Sequence, residues 1–165
     1  ETDLFELGEL MRDTMIAEAR NKNQNLEFEM IGENMRVFLE VKEVKIILKN
    51  LLDNAVKFTK ADETIRLSLF VNQDLVRWEV RNPGEIIPEN QQQSLFEFKG
   101  KRSYGTHQER GTGLGLTFCK KISDGLGMQL GYQPGNGNEN VFFLEMSLPS
   151  DQHHPEALSP VGAYN

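Results

Sequence analysis

Two asparagines and a lysine recur at helical spacing near the middle of the chain. Asn50, Asn54 and Lys57 lie four and then three residues apart, so they share one stripe of a helix that ends near Phe58. An amide oxygen is a hard ligand for Mg²⁺, and a lysine neutralises a phosphate as a point charge. The spacing is compatible with a site that holds a cation and a phosphate together, or with an ordinary solvated helix face.

A glycine-rich run ahead of a predicted helix is a second candidate site. Glycines let backbone N–H groups approach a phosphate closely, and a helix N-terminus favours anions. The run has no Gly-Lys-Ser/Thr, so it is not a Walker loop, and it does not follow a strand as a Rossmann fingerprint does. A flexible turn is the alternative. The run consists of Gly111, Thr112, Gly113, Leu114, Gly115 and Leu116.

Two further segments are less specific. Asn82 precedes a Pro-Gly pair at the end of a predicted strand. Its amide oxygen could accept from an adenine amino group, although a plain β-turn explains the same residues. Residues 99–110 carry four Lys or Arg against one Glu, beside Phe96 and Phe98. Such a basic, glycine-containing segment is compatible with a lid over a phosphate site, or with a disordered loop.

Hydrophobic periodicity predicts the elements that must position these residues. In the second predicted helix a core stripe, Val44, Leu48, Leu51 and Ala55, lies beside the polar stripe. The order of elements predicts an α+β two-layer sandwich, in which about three helices cover one face of a mixed, mostly antiparallel sheet. The predicted helices span residues 4–19, 41–59, 88–95 and 114–122, and the predicted β-hairpins span residues 26–39, 65–80 and 128–148. Arg77, Glu79 and Arg81 are expected to point away from the apolar side of their strand.

Composition excludes several classes of protein. The 165 residues include 25 acidic and 18 basic side chains, for a formal net charge of −7. That balance argues against a nucleic-acid-binding or membrane-surface protein, because both need a basic face. Cys119 is the only cysteine, so an internal disulfide is excluded. A structural zinc site is also excluded, because the sequence has no paired Cys/His clusters. No apolar run approaches the roughly 20 residues of a membrane span. We therefore expect an intracellular, soluble domain.

The length predicts one domain over residues 1–149, followed by a disordered tail at 150–165. The chain begins with Glu1 rather than Met, which suggests a fragment of a longer protein.

Taken in order, these motifs resemble the ATP-binding catalytic domain of sensor histidine kinases, in the superfamily that includes DNA gyrase. Residues 50–59, Asn-Leu-Leu-Asp-Asn-Ala-Val-Lys-Phe-Thr, match the N box of that family almost letter for letter. Residues 111–116 match its second glycine box, and residues 96–98 stand where its F box belongs. Residues 82–88 stand in place of its first glycine box. The resemblance covers residues 4–149.

The resemblance implies a Bergerat-type sandwich that holds ATP and Mg²⁺ between the N-box helix, the two glycine boxes and the lid. It implies that Asn54 is the Mg²⁺ ligand and that Asn50 and Lys57 act catalytically on the phosphate side. Phe58 is implied to pack beside the adenine. The remaining nucleotide-binding residues implied are Asn82, Gly84, Ile87, Phe96, Phe98, Lys99, Lys101, Arg102, Gly111, Thr112, Gly113, Leu114, Gly115 and Leu116.

Asn50 also bears on the type of reaction. Hydrolysing members of the superfamily carry a glutamate one turn before the Mg²⁺ asparagine, whereas an amide cannot act as a general base. The resemblance thus implies phosphoryl transfer to a histidine on a separate dimerisation domain, with a response regulator downstream and a cytoplasmic location. None of His107, His153 and His154 lies in a long predicted helix followed by an acidic residue, so none fits as the phosphoacceptor.

The first glycine box departs from the family pattern. Asn82 stands where the family has aspartate, and Ile86 where it has a second glycine. A β-branched residue does not readily adopt a positive φ, so a changed loop shape is expected. Two alternatives stay open: a nucleotide-free, kinase-like module that regulates a partner kinase, and a serine kinase of the anti-sigma type.

Overall fold

The computed structural model describes residues 1–97 and 115–149. The predicted lid at 99–110 and the predicted tail at 150–165 lie outside these residues. Four helices and seven strands are described, in the following order. They are β1 (Thr2–Asp3), α1 (Leu4–Asn21), β2 (Asn25–Gly32), β3 (Arg36–Val37), α2 (Val41–Phe58), β4 (Thr64–Val71), β5 (Leu75–Pro83), α3 (Glu89–Gln92), α4 (Gly115–Gly125), β6 (Gln129–Pro134) and β7 (Glu139–Ser147).

One five-stranded sheet forms the framework, in the order β2-β4-β5-β7-β6. Strands β2 and β4 are parallel, and the other three pairings are antiparallel. Helix α2 packs between α1 and α4, and all three helices contact the sheet. This is the mixed, mostly antiparallel α+β sandwich that the sequence predicted.

The first predicted hairpin, over residues 26–39, is wrong. β2 pairs in parallel with β4 along its whole length, from Asn25 opposite Thr64 to Gly32 opposite Val71. β3 instead pairs with the N-terminal strand β1. The Asn34 side chain reinforces that pairing, because its Nδ2 lies 3.0 Å from both carboxylate oxygens of Asp3. Alternation identified the strands correctly, but it carries no information about which neighbour each strand selects.

Helices α1 and α2 form the core with the sheet. The predicted core stripe of α2 is buried, and Ile47, Leu52 and Val56 widen it. In α1, Leu4, Leu7, Met11 and Met15 are buried, whereas Leu10 is exposed. Each fully buried leucine contributes about 1.5–3 kcal/mol relative to exposure, so this core fixes the position of α2 firmly.

The opposite face of the sheet carries charges, as predicted for the alternate positions of β5. Glu79 is only 4% exposed, and its two oxygens accept from Arg77 Nε at 2.7 Å and from Arg81 Nε at 2.9 Å. The Arg77 guanidinium lies 3.9 Å from the ring centroid of Phe143. A Cβ added to Gly131 would lie 2.4 Å from that ring, so the ring fills the space above Gly131. The buried carboxylate is thus compensated by two cations, as burial of a charge requires.

Cys119 is completely buried in α4, and burial raises the pKa of its thiol to about 11.

Within residues 1–97 and 115–149, no helix is both long and apolar enough to cross a bilayer.

Candidate functional site

An open cleft of about 1270 Å³ lies beside the C-terminal half of α2, the first turn of α4 and the loop after β5. It is lined by nine residues that the sequence analysis selected, drawn from three separate segments of the chain. They are Asn50, Asn54, Lys57, Phe58, Asn82, Gly84, Ile87, Gly115 and Leu116. The fold therefore brings together the described parts of the N box and both glycine boxes.

Other predicted positions fall elsewhere. Phe96 does not line the cleft. Its ring packs edge-on against the ring of Phe142, which does line the cleft, with 6.4 Å between the ring centroids. The remaining predicted residues lie outside the described part of the chain. They are Phe98, Lys99, Lys101, Arg102, Gly111, Thr112, Gly113 and Leu114.

Asn50 of α2 lies directly against Gly115, the first residue of α4. Asn50 Nδ2 donates to the Ile46 carbonyl, one turn earlier in the same helix, at 2.9 Å. A Cβ added to Gly115 would lie 2.8 Å from Asn50 Oδ1, closer than side chains normally come. Glycine at this position therefore lets the first turn of α4, whose exposed N–H groups favour anions, lie directly against the polar stripe.

The end of α2 supplies a cation and an aromatic ring. The Lys57 ammonium lies 4.9 Å from the centroid of the exposed Phe58 ring. Asp53, also in the lining, accepts from Lys49 at 2.9 Å. That hydrogen bond raises the pKa of Lys49. Lys49 therefore partly neutralises the charge that Asp53 brings to the lining of the cleft.

Asn82 is a buried polar side chain on the sheet side of the cleft, at 5% exposure. Among described residues its side chain makes one hydrogen bond, from Nδ2 to the Pro83 carbonyl at 3.2 Å. Its Oδ1 is thus available to accept from a ligand. Across the sheet, Asn82 is paired with Asn140.

The loop after Asn82 is held by residues that sequence reasoning missed. Asn140 Nδ2 donates to the Glu85 carbonyl at 3.0 Å, and Asn140 Oδ1 accepts from the Tyr132 hydroxyl at 2.6 Å. The same hydroxyl accepts from the Ile87 backbone N–H at 3.3 Å. The sequence predicted the hairpin that carries Tyr132 and Asn140. It did not indicate that this hairpin pairs with β5, which is what brings the two side chains to the loop.

Ile86 does not strain this loop. The described non-glycine residues with positive φ are Asn23 and Asp62, so Ile86 takes an ordinary backbone conformation. Its side chain contributes to the wall of the cleft. Ile86 thus adds apolar surface to the site without a positive φ.

The donor set fits Mg²⁺ held jointly with a phosphate. Over residues 1–97 and 115–149 no group of three His, Cys, Asp or Glu side chains is placed to form a complete metal cage. Mg²⁺ commonly uses one or two protein oxygens and takes the rest from phosphate and water. The Asn54 amide oxygen in the cleft meets that requirement.

Comparison with known proteins agrees with this geometry. Residues 40–150 match the model of the family described as Histidine kinase-, DNA gyrase B-, and HSP90-like ATPase. The sensor histidine kinase AruS of Pseudomonas aeruginosa is 36% identical over 107 residues, which is 62% of this chain and 11% of AruS. The chain spans between 11% and 32% of the length of three curated relatives that it matches.

Solved structures give the same result. The nucleotide-free catalytic domain of histidine kinase ThkA superposes with a TM-score of 0.76 at 27% identity, covering 88% of this chain and 94% of that one. ThkA in complex with the response regulator protein TrrA superposes with a TM-score of 0.75 at 26% identity, covering 92% of this chain and 42% of that one. The fold is that of the histidine kinase ATP-binding catalytic domain, and the chain belongs to the histidine kinase-, DNA gyrase B- and HSP90-like ATPase family.

Proposed function

We propose that this chain is the catalytic domain of a two-component sensor histidine kinase and transfers the γ-phosphoryl group of ATP to a histidine on a separate dimerisation domain. The observation that carries the proposal is a single cleft that joins the polar stripe of α2, the start of α4 and the buried Asn82. The proposal includes one domain over residues 1–149, a response regulator as downstream partner and a cytoplasmic location.

The two ends of the cleft differ in chemistry, and this sets the direction in which ATP binds. Asn54, Lys57 and the first turn of α4 provide polar and cationic groups for the triphosphate. Ile87 and Phe142 provide apolar surface near Asn82, where a planar base buries its faces. Asn82 Oδ1 accepts from the 6-amino group of adenine.

The Asn54 amide oxygen would hold Mg²⁺ together with the phosphates, and the bound cation would neutralise phosphate charge. Lys57 adds a second positive charge and orients the chain of phosphates. Asn50 lies where a general base would activate water, but an amide does not take up a proton at neutral pH. The cleft therefore favours transfer to an acceptor brought by another domain over hydrolysis.

Calorimetric titration with a non-hydrolysable ATP analogue and Mg²⁺ tests binding directly. We expect saturable heat that depends on Mg²⁺, and no heat at millimolar nucleotide would refute the proposal. Incubation of the parent protein with labelled ATP tests the acceptor, because phosphohistidine is acid-labile and phosphoserine is not.

A nucleotide-free regulatory module is the second candidate, and the neutral Asn82 is the observation that favours it. Loss of a charge-assisted hydrogen bond weakens base recognition, since such bonds are about twice as strong as neutral ones. In this case the double variant Asn82→Asp, Ile86→Gly gains nucleotide binding that the native chain lacks. Equal affinity of the two proteins would exclude this second function.

A further inference from the structure

The phosphate half of the cleft lies at the end of a helix that is electrostatically unfavourable for anions. Lys57 belongs to the last turn of α2 and lines the cleft. A helix C-terminus carries a partial negative charge, because its last carbonyl groups have no partner within the helix. A phosphate beside this turn is therefore repelled by the backbone that positions Lys57.

Two buried side chains from the turn after α1 bind the end of α2. Lys22 Nζ donates to the Val56 carbonyl at 2.8 Å and to the Lys57 carbonyl at 3.1 Å. Gln24 Nε2 donates to the Val56 carbonyl at 2.8 Å and to the Thr59 carbonyl at 2.6 Å. Lys22 is 9% exposed and Gln24 is 3% exposed. An ammonium and an amide thus cap the same helix end, and one of them carries a full charge.

The backbone around Lys22 is itself fixed. Lys22 N–H and Gln24 N–H both donate to the Ala19 carbonyl, at 3.1 and 2.9 Å. Between them Asn23 adopts φ +55°, and its carbonyl accepts from Asp62 N–H at 2.8 Å. This turn is therefore tied both to α1 and to the loop after α2, so the ammonium is held in place before any ligand binds.

We propose that Lys22 is a positioning residue for nucleotide phosphate: its buried ammonium offsets the negative end of α2 and fixes the turn that carries Lys57. The inference rests on the proposed nucleotide-binding function. Lys22 acts through the helix end and not by direct contact with the ligand. Its effect is confined to ligands that carry phosphate, whereas a purely structural cap affects every ligand of the cleft alike.

The variant Lys22→Gln removes the charge and keeps a hydrogen-bond donor, and Lys22→Arg restores the charge. Lys42→Gln is the matched control, because Lys42 is exposed on α2 itself. It lies about 21 Å along the helix from Val56 at 1.5 Å per residue, more than twice the Debye length of about 8 Å at physiological salt. If circular dichroism shows that Lys22→Gln is unfolded, all proteins are compared in trimethylamine N-oxide, which favours the compact state.

Dissociation constants are measured for the Mg²⁺ complex of a non-hydrolysable ATP analogue by calorimetry, and for adenosine by NMR titration. We expect Lys22→Gln to weaken binding of the analogue about threefold to tenfold, the range that helix-end charges produce. In Lys22→Gln, the dissociation constant for adenosine should stay within about twofold of wild type. In Lys22→Arg and Lys42→Gln, the dissociation constants for both ligands should also stay within about twofold of wild type. The loss in Lys22→Gln should also shrink at high salt.

Unchanged analogue binding in Lys22→Gln overturns the inference. So does an equal loss for analogue and adenosine, because that outcome assigns Lys22 a structural role only. Wild-type protein that binds neither ligand refutes the proposed function and with it this inference, so the two failures are distinguished by the wild-type titration.

Discussion

Replacing Gly115 by alanine should weaken nucleotide binding while leaving the protein folded. The added Cβ would lie 2.8 Å from Asn50 Oδ1, and among the described residues outside α4 the next nearest atom is Asn50 Cγ at 3.8 Å. Relief therefore requires only that the Asn50 side chain rotate away. Rotation breaks its hydrogen bond to the Ile46 carbonyl.

The two energetic terms of this substitution have opposite signs, so they partly cancel in stability. A lost intramolecular hydrogen bond costs about 0.5–1.5 kcal/mol. Glycine to alanine gains roughly 0.5–1 kcal/mol in a helix interior, and less at Gly115 because it is the first residue of α4. We expect the midpoint of thermal unfolding to shift by no more than about 4 °C. Nucleotide affinity has no such compensation, because the displaced Asn50 amide enters the space of the phosphates. A loss of about 1 kcal/mol in binding free energy corresponds to a roughly fivefold higher dissociation constant.

Calorimetry with an ATP analogue and Mg²⁺, paired with thermal unfolding, measures both quantities. The matched background is Asn50→Ala, in which Gly115→Ala should have no further effect on affinity. Wild-type affinity in Gly115→Ala, or effects of the two substitutions that simply add, would show that Asn50 and Gly115 are not coupled through this contact.

Three further outcomes are expected. Asn54→Ala should abolish Mg²⁺-dependent nucleotide binding with little change in circular dichroism; retained Mg²⁺ dependence would place the metal ligand elsewhere. Gly131→Ala should destabilise the domain by about 1–3 kcal/mol in denaturant unfolding, because its Cβ meets the Phe143 ring at 2.4 Å while Arg77 lies on that ring. Combining Gly131→Ala with Phe143→Leu should recover part of the lost stability. Because burial raises the pKa of Cys119 from 9.0 to about 11, the contribution of this thiol to stability is complete below pH 9 and is lost as pH rises through 11; alkylation by iodoacetamide at pH 8 should be slow unless urea is present.

The local elements could be predicted because their signals are short-range. The apolar spacing from Val44 to Ala55 identified α2 and its buried face, and alternation around Trp78 identified β5. The same spacing placed Asn50, Asn54 and Lys57 on one stripe of α2. All three line the cleft.

What could not be predicted depends on contacts between distant parts of the chain. Nothing near Leu26 indicates that β2 pairs in parallel with β4 rather than with the strand that follows it. Likewise, a buried amide such as Asn140 or Gln24 has several possible partners, and only the assembled sandwich decides among them. The residues that support the cleft are therefore less predictable than the residues that line it.

The parallel pairing of β2 with β4 links formation of the site to the kinetics of folding. Two parallel neighbours cannot be joined by a tight turn, and here the crossover between them contains α2. The helix that carries the proposed metal and phosphate ligands is thus the middle of a β-α-β unit. Such a pairing has high contact order, because a long loop must close before its contacts form. Helix α2 and the edge strand β2 are accordingly expected to acquire their native positions in the same late, slow folding step.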